Sequence, residues 1–213
     1  MSNMSIEKTI LSGLSDRQKE AVTHTEGPLL LIAGPGSGKT RVMAHRVAYL
    51  VAVKEIPTNN ILAVTFTNKA ARELKERCER LVNYQKEFLQ VRTFHGFCSR
   101  ILRFEGESIG LTRDFSIFDE DDQKKVIRRS FEDENIDIKQ HSPRKIISVI
   151  SKLKNSIISP EKFSNEVTDF GEEIISRIFS RYQDILLKSN AVDFDDLLLK
   201  TFLLFDDNKY ILD

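Results

Sequence analysis

The feature that most constrains this chain is the glycine-rich segment AGPGSGKT at residues 33–40. An apolar run over 28–33 leads into it, and a helical pattern over 40–51 follows it. In a turn of this kind successive backbone N–H groups point inward, and the helix N-terminus adds partial positive charge. A strand, a glycine-rich turn and a helix in this order predict a P-loop, which binds the phosphates of a nucleotide.

The residue types of the loop have separate expected roles. Lys39 is expected to reach the β- and γ-phosphate oxygens, and the Thr40 hydroxyl is expected to bind Mg²⁺. The strict pattern has Gly where Ala33 stands, and a small side chain can satisfy the same close packing. The alternative is a glycine-rich turn beside a basic residue. The predicted phosphate-loop residues are Ala33, Gly34, Pro35, Gly36, Ser37, Gly38, Lys39 and Thr40.

Short apolar runs alternate with helical patterns in the first half of the chain. Strands are predicted over 28–33, 61–66 and 89–94, and a helix over 68–82 with Asn68 as its N-cap. The first two runs are almost continuously apolar, as is typical of strands covered on both faces. This order of elements predicts an α/β fold with a parallel sheet.

From about Thr112 onward the pattern predicts only helices. Asp119 and the pair Ser142-Pro143 are helix-start signals. Apolar residues recur at helical spacing at Ile146, Ile150, Leu153 and Ile157, at Ile174, Ile178, Tyr182 and Ile185, and over 193–205. The second half is therefore expected to be a compact helical subdomain, attached to the α/β domain or inserted in it.

The charge of the chain is balanced overall but not along its length. The 32 basic and 32 acidic residues cancel, whereas residues 1–110 hold 16 basic and 11 acidic side chains. The first half is therefore the half expected to meet phosphates. Cys78 and Cys98 are too few for a disulfide framework, and no apolar run is long enough to span a membrane, so a reduced, cytoplasmic protein is expected.

Beyond the P-loop, several stretches together resemble the UvrD/Rep/PcrA family of superfamily-one DNA helicases. Residues 14–22 (LSDRQKEAV) look like the family's Q motif, 63–77 like motif Ia and 91–103 like motif Ib. Residues 114–123 and 191–200 look like the stretches that flank the family's inserted helical subdomain. The order and spacing of these stretches make the resemblance specific, and it extends over nearly the whole chain.

The resemblance implies further site residues. Gln18 would read the adenine edge, because an amide offers both a donor and an acceptor, and Arg41 would lie near the nucleotide, although a solvated arginine is the alternative. Phe66 and Phe94 could stack on bases or lie in the core, and His95 could contact DNA or cap a helix. The residues expected to contact single-stranded DNA are Thr65, Phe66, Thr67, Asn68, Thr93, Phe94 and His95.

The resemblance also implies an organisation and a function. Residues 1–111 would form the first part of a RecA-like motor domain, 112–190 an inserted helical subdomain, and 191–213 a return to the motor domain. The whole protein would use ATP and Mg²⁺ to move 3′ to 5′ along single-stranded DNA and unwind duplexes in repair or replication. Its expected partners are single-stranded DNA, a duplex junction, a second motor domain and possible repair or replication proteins, with no membrane, at the bacterial nucleoid.

Two points stay open in the sequence. None of the strands predicted from the sequence ends in an Mg²⁺-binding Asp, so the chain alone is expected to bind ATP weakly without substantial hydrolysis. A basic stretch (Arg144, Lys145, Lys152 and Lys154) is either a contact with duplex DNA or a solvated helix face. The alternative functions are a stand-alone P-loop kinase or ATPase, and a nucleic-acid interaction module with a vestigial P-loop.

Overall fold

The computed structural model describes residues 3–82, 89–138 and 141–212. The chain forms two compact units, Met1–Phe94 and His95–Asp213. The first unit contains α1 (Asn3–Leu11), α2 (Asp16–Thr23), α3 (Lys39–Ala52), β1 (Leu62–Thr65), α4 (Asn68–Val82) and β2 (Gln90–Thr93). The second contains α5 (Phe94–Glu105, from its second residue), β3 (Ser116–Phe118), α6 (Glu120–Asp133), α7 (Pro143–Asn155), α8 (Pro160–Glu166), α9 (Phe170–Lys188), β4 (Ala191–Asp193) and α10 (Phe194–Asp207).

In the first unit β1 and β2 pair in parallel, with α4 as the connection between them. Buried apolar side chains of α3, α4 and β1 pack together, among them Val47, Leu74 and Ala63. The α/β pattern predicted for this half is therefore present as a β–α–β unit. It fixes which strand ends lie side by side, and so positions the residues that follow them.

The strand predicted over 28–33 is wrong for this structure. The segment leads into the glycine-rich turn without entering a sheet, and its apolar side chains, such as Leu30 and Ile32, are exposed. A strand needs a neighbour that satisfies its N–H and C=O groups. Among the described residues neither β1 nor β2 pairs with this segment.

The predicted start of α4 needs a smaller correction. Asn68 was the predicted N-cap, but the Thr67 hydroxyl accepts the hydrogen bond from the Ala70 N–H, at 3.1 Å, and Asn68 is already helical. Serine-like hydroxyls and asparagine compete for this position, so the sequence pattern places the helix correctly and misplaces its cap by one residue.

The sequence pattern predicted only helices for the second half of the chain, but the second unit also contains two short strands. The three-residue strands β3 and β4 pair in parallel, with Ser116 opposite Ala191 and Phe118 opposite Asp193. Around them, α6, α7 and α9 enclose a core that includes Phe131, Ile150 and Tyr182. Strands this short carry no detectable alternation in the sequence, which explains why they were not predicted.

The predicted helix starts of this unit are confirmed. The Asp119 carboxylate accepts hydrogen bonds from the N–H groups of Asp121 and Asp122, and α7 begins at Pro143. Ile157 departs from its predicted helical stripe, because α7 ends at Asn155 and Ile157 is exposed with a φ of 57°.

Both cysteines are buried and unpaired. Burial raises the pKa of the Cys78 thiol to about 11 and also raises the pKa of Cys98. The two thiols therefore stay protonated at neutral pH and act as small core residues. Within the described part of the chain, no helix combines the length and the apolar character needed to cross a membrane.

Candidate nucleotide and nucleic-acid sites

The glycine-rich turn leads directly into α3. Gly36 and Gly38 have φ values of 73° and 88°, in the left-handed region that side chains with a Cβ rarely adopt. Gly38 is the N-cap of α3, and no side chain caps the N–H groups of the first turn. An uncapped helix N-terminus offers those N–H groups and the positive end of the helix dipole to an anion. The predicted helix over 40–51 is thus present in the place that the P-loop requires.

Lys39 folds over the turn that precedes it. Its ammonium donates hydrogen bonds to the carbonyl oxygens of Ala33, at 3.0 Å, and Gly34, at 2.8 Å. The Ser37 hydroxyl donates to the same Gly34 carbonyl, at 2.7 Å. The ammonium is therefore at the mouth of the turn, within reach of any anion that binds the α3 N-terminus, and exchange of carbonyl oxygens for phosphate oxygens is charge-assisted.

Gln18 lies beside this turn although it is distant in sequence. Its amide nitrogen donates to the Ser37 carbonyl oxygen, at 3.1 Å, while its amide oxygen accepts from the Ser15 N–H, at 3.0 Å. The second bond belongs to the capping box of α2, which holds the side chain in place. The structure thus brings Gln18 to the predicted nucleotide site.

Arg41 lies in the first turn of α3 and points toward the turn between α1 and α2. A Cβ at Gly13 would come within 2.9 Å of an Arg41 guanidinium nitrogen. Arg41 is exposed, with its Cβ near Gly38 of the glycine-rich turn and its guanidinium near Gly13.

Two aromatic rings follow the carboxyl ends of β1 and β2. The register places Thr65 opposite Thr93, so Phe66 and Phe94, the next residues, lie next to each other. Their ring centroids are 5.8 Å apart with 45° between the planes. Phe66 is 90% exposed and Phe94 43%, so the alternative that both lie in the core is wrong. Exposed aromatic pairs at the carboxyl edge of a parallel sheet can bind planar groups.

The polar residues beside Phe66 are partly engaged within the protein. The Thr65 hydroxyl donates to the Thr67 carbonyl oxygen, at 3.1 Å, and Thr67 caps α4. Thr67 and Asn68 are both exposed. The first turn of α4 therefore presents hydroxyl, amide and backbone N–H groups at the same edge as the aromatic pair, which suits contacts with phosphate or sugar.

In the second unit, His95 is paired with an aromatic residue that the sequence analysis did not select. The His95 ring lies edge-on to the Phe194 ring, with centroids 5.5 Å apart. His95 lies in the first turn of α5 instead of capping it. Phe194 directly follows β4, just as Phe66 and Phe94 follow their strands. No sequence signal identified this residue, because the three-residue strand that precedes it was not predicted.

The basic stretch on α7 has one member fewer than predicted. Arg144, Lys145 and Lys152 are exposed, but Lys154 is 1% exposed. Its ammonium lies 2.6 Å from an Asp193 carboxylate oxygen and 2.9 Å from one of Asp196. Sequence spacing could not distinguish it, because both carboxylates are about 40 residues away in the chain. No group of three or more metal-binding side chains is found in the described ranges.

Comparisons with known proteins identify a family model and several relatives that match this chain. The model of the UvrD/REP helicase N-terminal domain matches residues 14–213. The ATP-dependent DNA helicase PcrA of Staphylococcus aureus is 48% identical over 197 residues, which are 92% of this chain. The proteins of that name from Bacillus subtilis and Staphylococcus epidermidis are 48% and 46% identical over 94% and 92% of the chain.

The matched region is a minor part of each relative. The chain spans 27% of the length of the curated relatives that it matches. The similarity therefore concerns the part of those proteins that corresponds to the two units described above.

Proposed function

Because the chain belongs to the UvrD/REP helicase N-terminal domain family, we propose that it forms the N-terminal part of an ATP-dependent DNA helicase. The whole protein would bind ATP with Mg²⁺, translocate 3′ to 5′ along single-stranded DNA and unwind duplexes in repair or replication. A second motor domain would close on the nucleotide, so that each cycle of closure and reopening moves the grip on DNA.

We further propose the sequence-based organisation of the chain. Residues 1–111 belong to a RecA-like motor domain, 112–190 are an inserted helical subdomain, and 191–213 return to the motor domain. The parallel pairing of β3 with β4 supports an insertion, because it brings the two ends of the 112–190 segment together.

The phosphate loop and Gln18 would form this chain's part of the ATP site. The uncapped N-terminus of α3 and the Lys39 ammonium would hold phosphate oxygens, and the Thr40 hydroxyl would bind Mg²⁺. Gln18, with Arg41 nearby, would give up its hydrogen bond to Ser37 and read the adenine edge. The strand β4 ends in Asp193, but this carboxylate is buried and bound by Lys154 and Tyr182, so hydrolysis would need an acidic Mg²⁺ ligand besides these groups.

Single-stranded DNA would bind on the aromatic residues at the strand ends. Phe66 and Phe94 would stack on bases, which suits a motor that must accept any sequence. Thr65, Thr67, Asn68 and Thr93 beside them would contact phosphate or sugar. In the second unit, His95 and Phe194 would offer a further stacking surface. The exposed basic residues of α7, Arg144, Lys145 and Lys152, would contact duplex DNA by charge.

The observation that best supports a DNA-binding motor is the exposed Phe66–Phe94 pair at the carboxyl ends of parallel strands. Replacing Phe66 by alanine in the full-length protein is expected to weaken single-stranded DNA binding by roughly 5- to 150-fold, the equivalent of about 1–3 kcal/mol for one stacked base. Fluorescence anisotropy with a labelled oligothymidylate at fixed salt measures the change.

Phe170→Ala is the matched control for this experiment. Phe170 is also an exposed phenylalanine, but it begins α9 and does not directly follow a strand of the described residues. The control is expected to bind DNA normally. Equal DNA affinity of the Phe66→Ala variant and the unmodified protein would remove the aromatic pair from the proposed DNA site.

A further inference from the structure

A buried cluster of polar side chains joins four elements of the second unit. Lys154 of α7, Tyr182 of α9, Asp193 of β4 and Asp196 of α10 are all at most 2% exposed. Lys154 is the cation between the two carboxylates, and the Tyr182 hydroxyl donates to Asp193, at 2.8 Å. None of these side chains has a role in the function proposed above.

Every carboxylate oxygen of this cluster has a hydrogen-bond donor. In Asp193, one oxygen accepts from the Asp196 N–H and the other from Lys154 and Tyr182. In Asp196, one oxygen accepts from the Asp193 N–H and the other is bound by Lys154 and by the Gln183 amide. Among the buried side-chain polar atoms of the described residues, only the Gln183 amide oxygen, at the edge of this network, lacks a hydrogen-bond partner. Carboxylates whose oxygens are all bound in this way are held in a single arrangement.

Tyr182 stays a hydrogen-bond donor throughout the accessible pH range. Burial, followed by the charge of Asp193, raises the pKa of its phenol far above the usual value. The Lys154 ammonium also lies over the Tyr182 ring, 5.1 Å from its centroid. The cation therefore has an aromatic face on one side and two carboxylates within contact distance.

Two members of this cluster, Asp193 and Asp196, lie on either side of Phe194 in the sequence. The capping box of α10 joins the Asp193 and Asp196 side chains to each other's N–H groups, and Phe194 lies between them in sequence. Its ring is 48% exposed and meets the His95 ring. One residue further along α7, the Asn155 amide donates to Asp195 at 3.2 Å. The C-terminal end of α7 is thus bonded to the first turn of α10, and Phe194 is the first residue of that turn.

We propose that Lys154 is a positioning residue for Phe194, which holds that ring where a DNA base can stack on it. This inference rests on the proposed function, because it gives a purpose to the cluster only if Phe194 contacts DNA. Lys154 itself touches no DNA: it acts through Asp193 and Asp196. The end of α7 that carries Lys152 on its surface is thereby coupled to an aromatic DNA contact.

A double-mutant cycle in the full-length protein tests this proposal. The variants are Lys154→Met, Phe194→Ala and the pair together, with single-stranded DNA affinity measured by anisotropy on oligothymidylate. Phe194→Ala is expected to weaken binding by roughly 5- to 150-fold, as for one stacked base. Lys154→Met is expected to weaken it by a similar factor, and the double variant by no more than either alone.

A second cycle with Phe66 separates positioning from a general loss of structure. Lys154→Met and Phe66→Ala are expected to multiply in their effects, because Phe66 belongs to the other unit. Multiplicative effects of Lys154→Met and Phe194→Ala would overturn the proposal, and so would normal affinity of the Lys154→Met variant. If Phe194→Ala binds DNA normally while Phe66→Ala binds it more weakly, the positioning proposal is overturned and the proposed function stands. If both variants bind DNA normally, the proposed function is overturned as well.

Tyr182→Phe keeps the test decisive if Lys154→Met does not fold. This variant removes only the hydroxyl that donates to Asp193. When Phe194 is present, Tyr182→Phe is expected to weaken DNA binding by a few-fold. When it is combined with Phe194→Ala, it is expected to cause no further weakening. Tyr210→Phe, at an exposed tyrosine, is the matched control. Equal effects of Tyr182→Phe with and without Phe194, or no effect in either, would reject the proposed coupling.

Discussion

Replacing Lys39 by alanine in the full-length protein is expected to abolish ATP hydrolysis and duplex unwinding while leaving the fold intact. The ammonium lies at the glycine-rich turn, where it donates hydrogen bonds to the carbonyl oxygens of Ala33 and Gly34. Phosphoryl transfer depends on such positioned charge, and the loss of one preorganised donor costs roughly 10²- to 10³-fold in rate. Steady-state release of inorganic phosphate, in the presence of single-stranded DNA, measures the effect.

Lys54→Ala is the matched control, because Lys54 is an exposed lysine just after α3 in the same unit. It is expected to hydrolyse ATP at the normal rate. The Lys39→Ala variant should also bind single-stranded DNA normally without nucleotide, since Lys39 lies at the phosphate loop. If Lys39→Ala left every function of the full-length protein intact, an interaction module with a vestigial P-loop would be supported. Transfer of phosphate to a small molecule by the unmodified protein would support a kinase.

The largest expected loss of stability comes from replacing Lys154 by alanine. That change leaves the buried carboxylates of Asp193 and Asp196 without their cation, and removal of one partner from a buried ionic cluster costs about 3–5 kcal/mol. The affected core belongs to the second unit, where α7, α9, β4 and α10 meet. Urea denaturation followed by circular dichroism measures the free energy of unfolding of the unmodified chain and of the variant.

Lys209→Ala provides the comparison for this prediction. Lys209 also forms an ion pair at 2.7 Å, with Asp206, but both side chains are mostly exposed. Exposed pairs contribute little to stability, so the unfolding curve of this variant should overlay that of the unmodified chain. Similar curves for Lys154→Ala and Lys209→Ala would show that the buried cluster is not a major contributor to the stability of the second unit.

The helices of this chain were largely predictable from local signals. Helix-start residues such as Asp119 and Pro143, together with apolar spacing, predicted where α6 and α7 begin. The strands β1 and β2 were predicted as well, because their apolar runs are bounded by clear helical patterns. Propensity and periodicity are properties of short segments, and these elements depend on little else.

The errors arose where structure depends on distant residues. Segment 28–33 is apolar enough for a strand, but strand formation depends on a partner and not on composition alone. Lys154 looked like part of a basic face, and only the approach of Asp193 and Asp196 accounts for its burial. For the same reason the His95–Phe194 contact, between residues 99 positions apart, could not be derived from spacing.

In the predicted binding sites, some residues could be identified from the local sequence and others only from the fold. The P-loop could be recognised because its chemistry lies within eight consecutive residues, and Gly36 and Gly38 have the conformations that such a turn needs. Gln18 was selected by resemblance alone, and its hydrogen bond to Ser37 supplies the geometric reason. The aromatic residues required the register of β1 and β2, which aligns Thr65 with Thr93.

In the function proposed above, the full-length protein couples nucleotide hydrolysis at the Lys39 loop to the binding of single-stranded DNA. The most direct test is the rate of ATP hydrolysis by the full-length protein with and without oligothymidylate. DNA is expected to raise the rate at least tenfold, which corresponds to a lowering of the activation free energy by about 1.4 kcal/mol. The Phe66→Ala variant should need more DNA to reach half of the increase. Hydrolysis at the same rate with and without DNA would contradict the account.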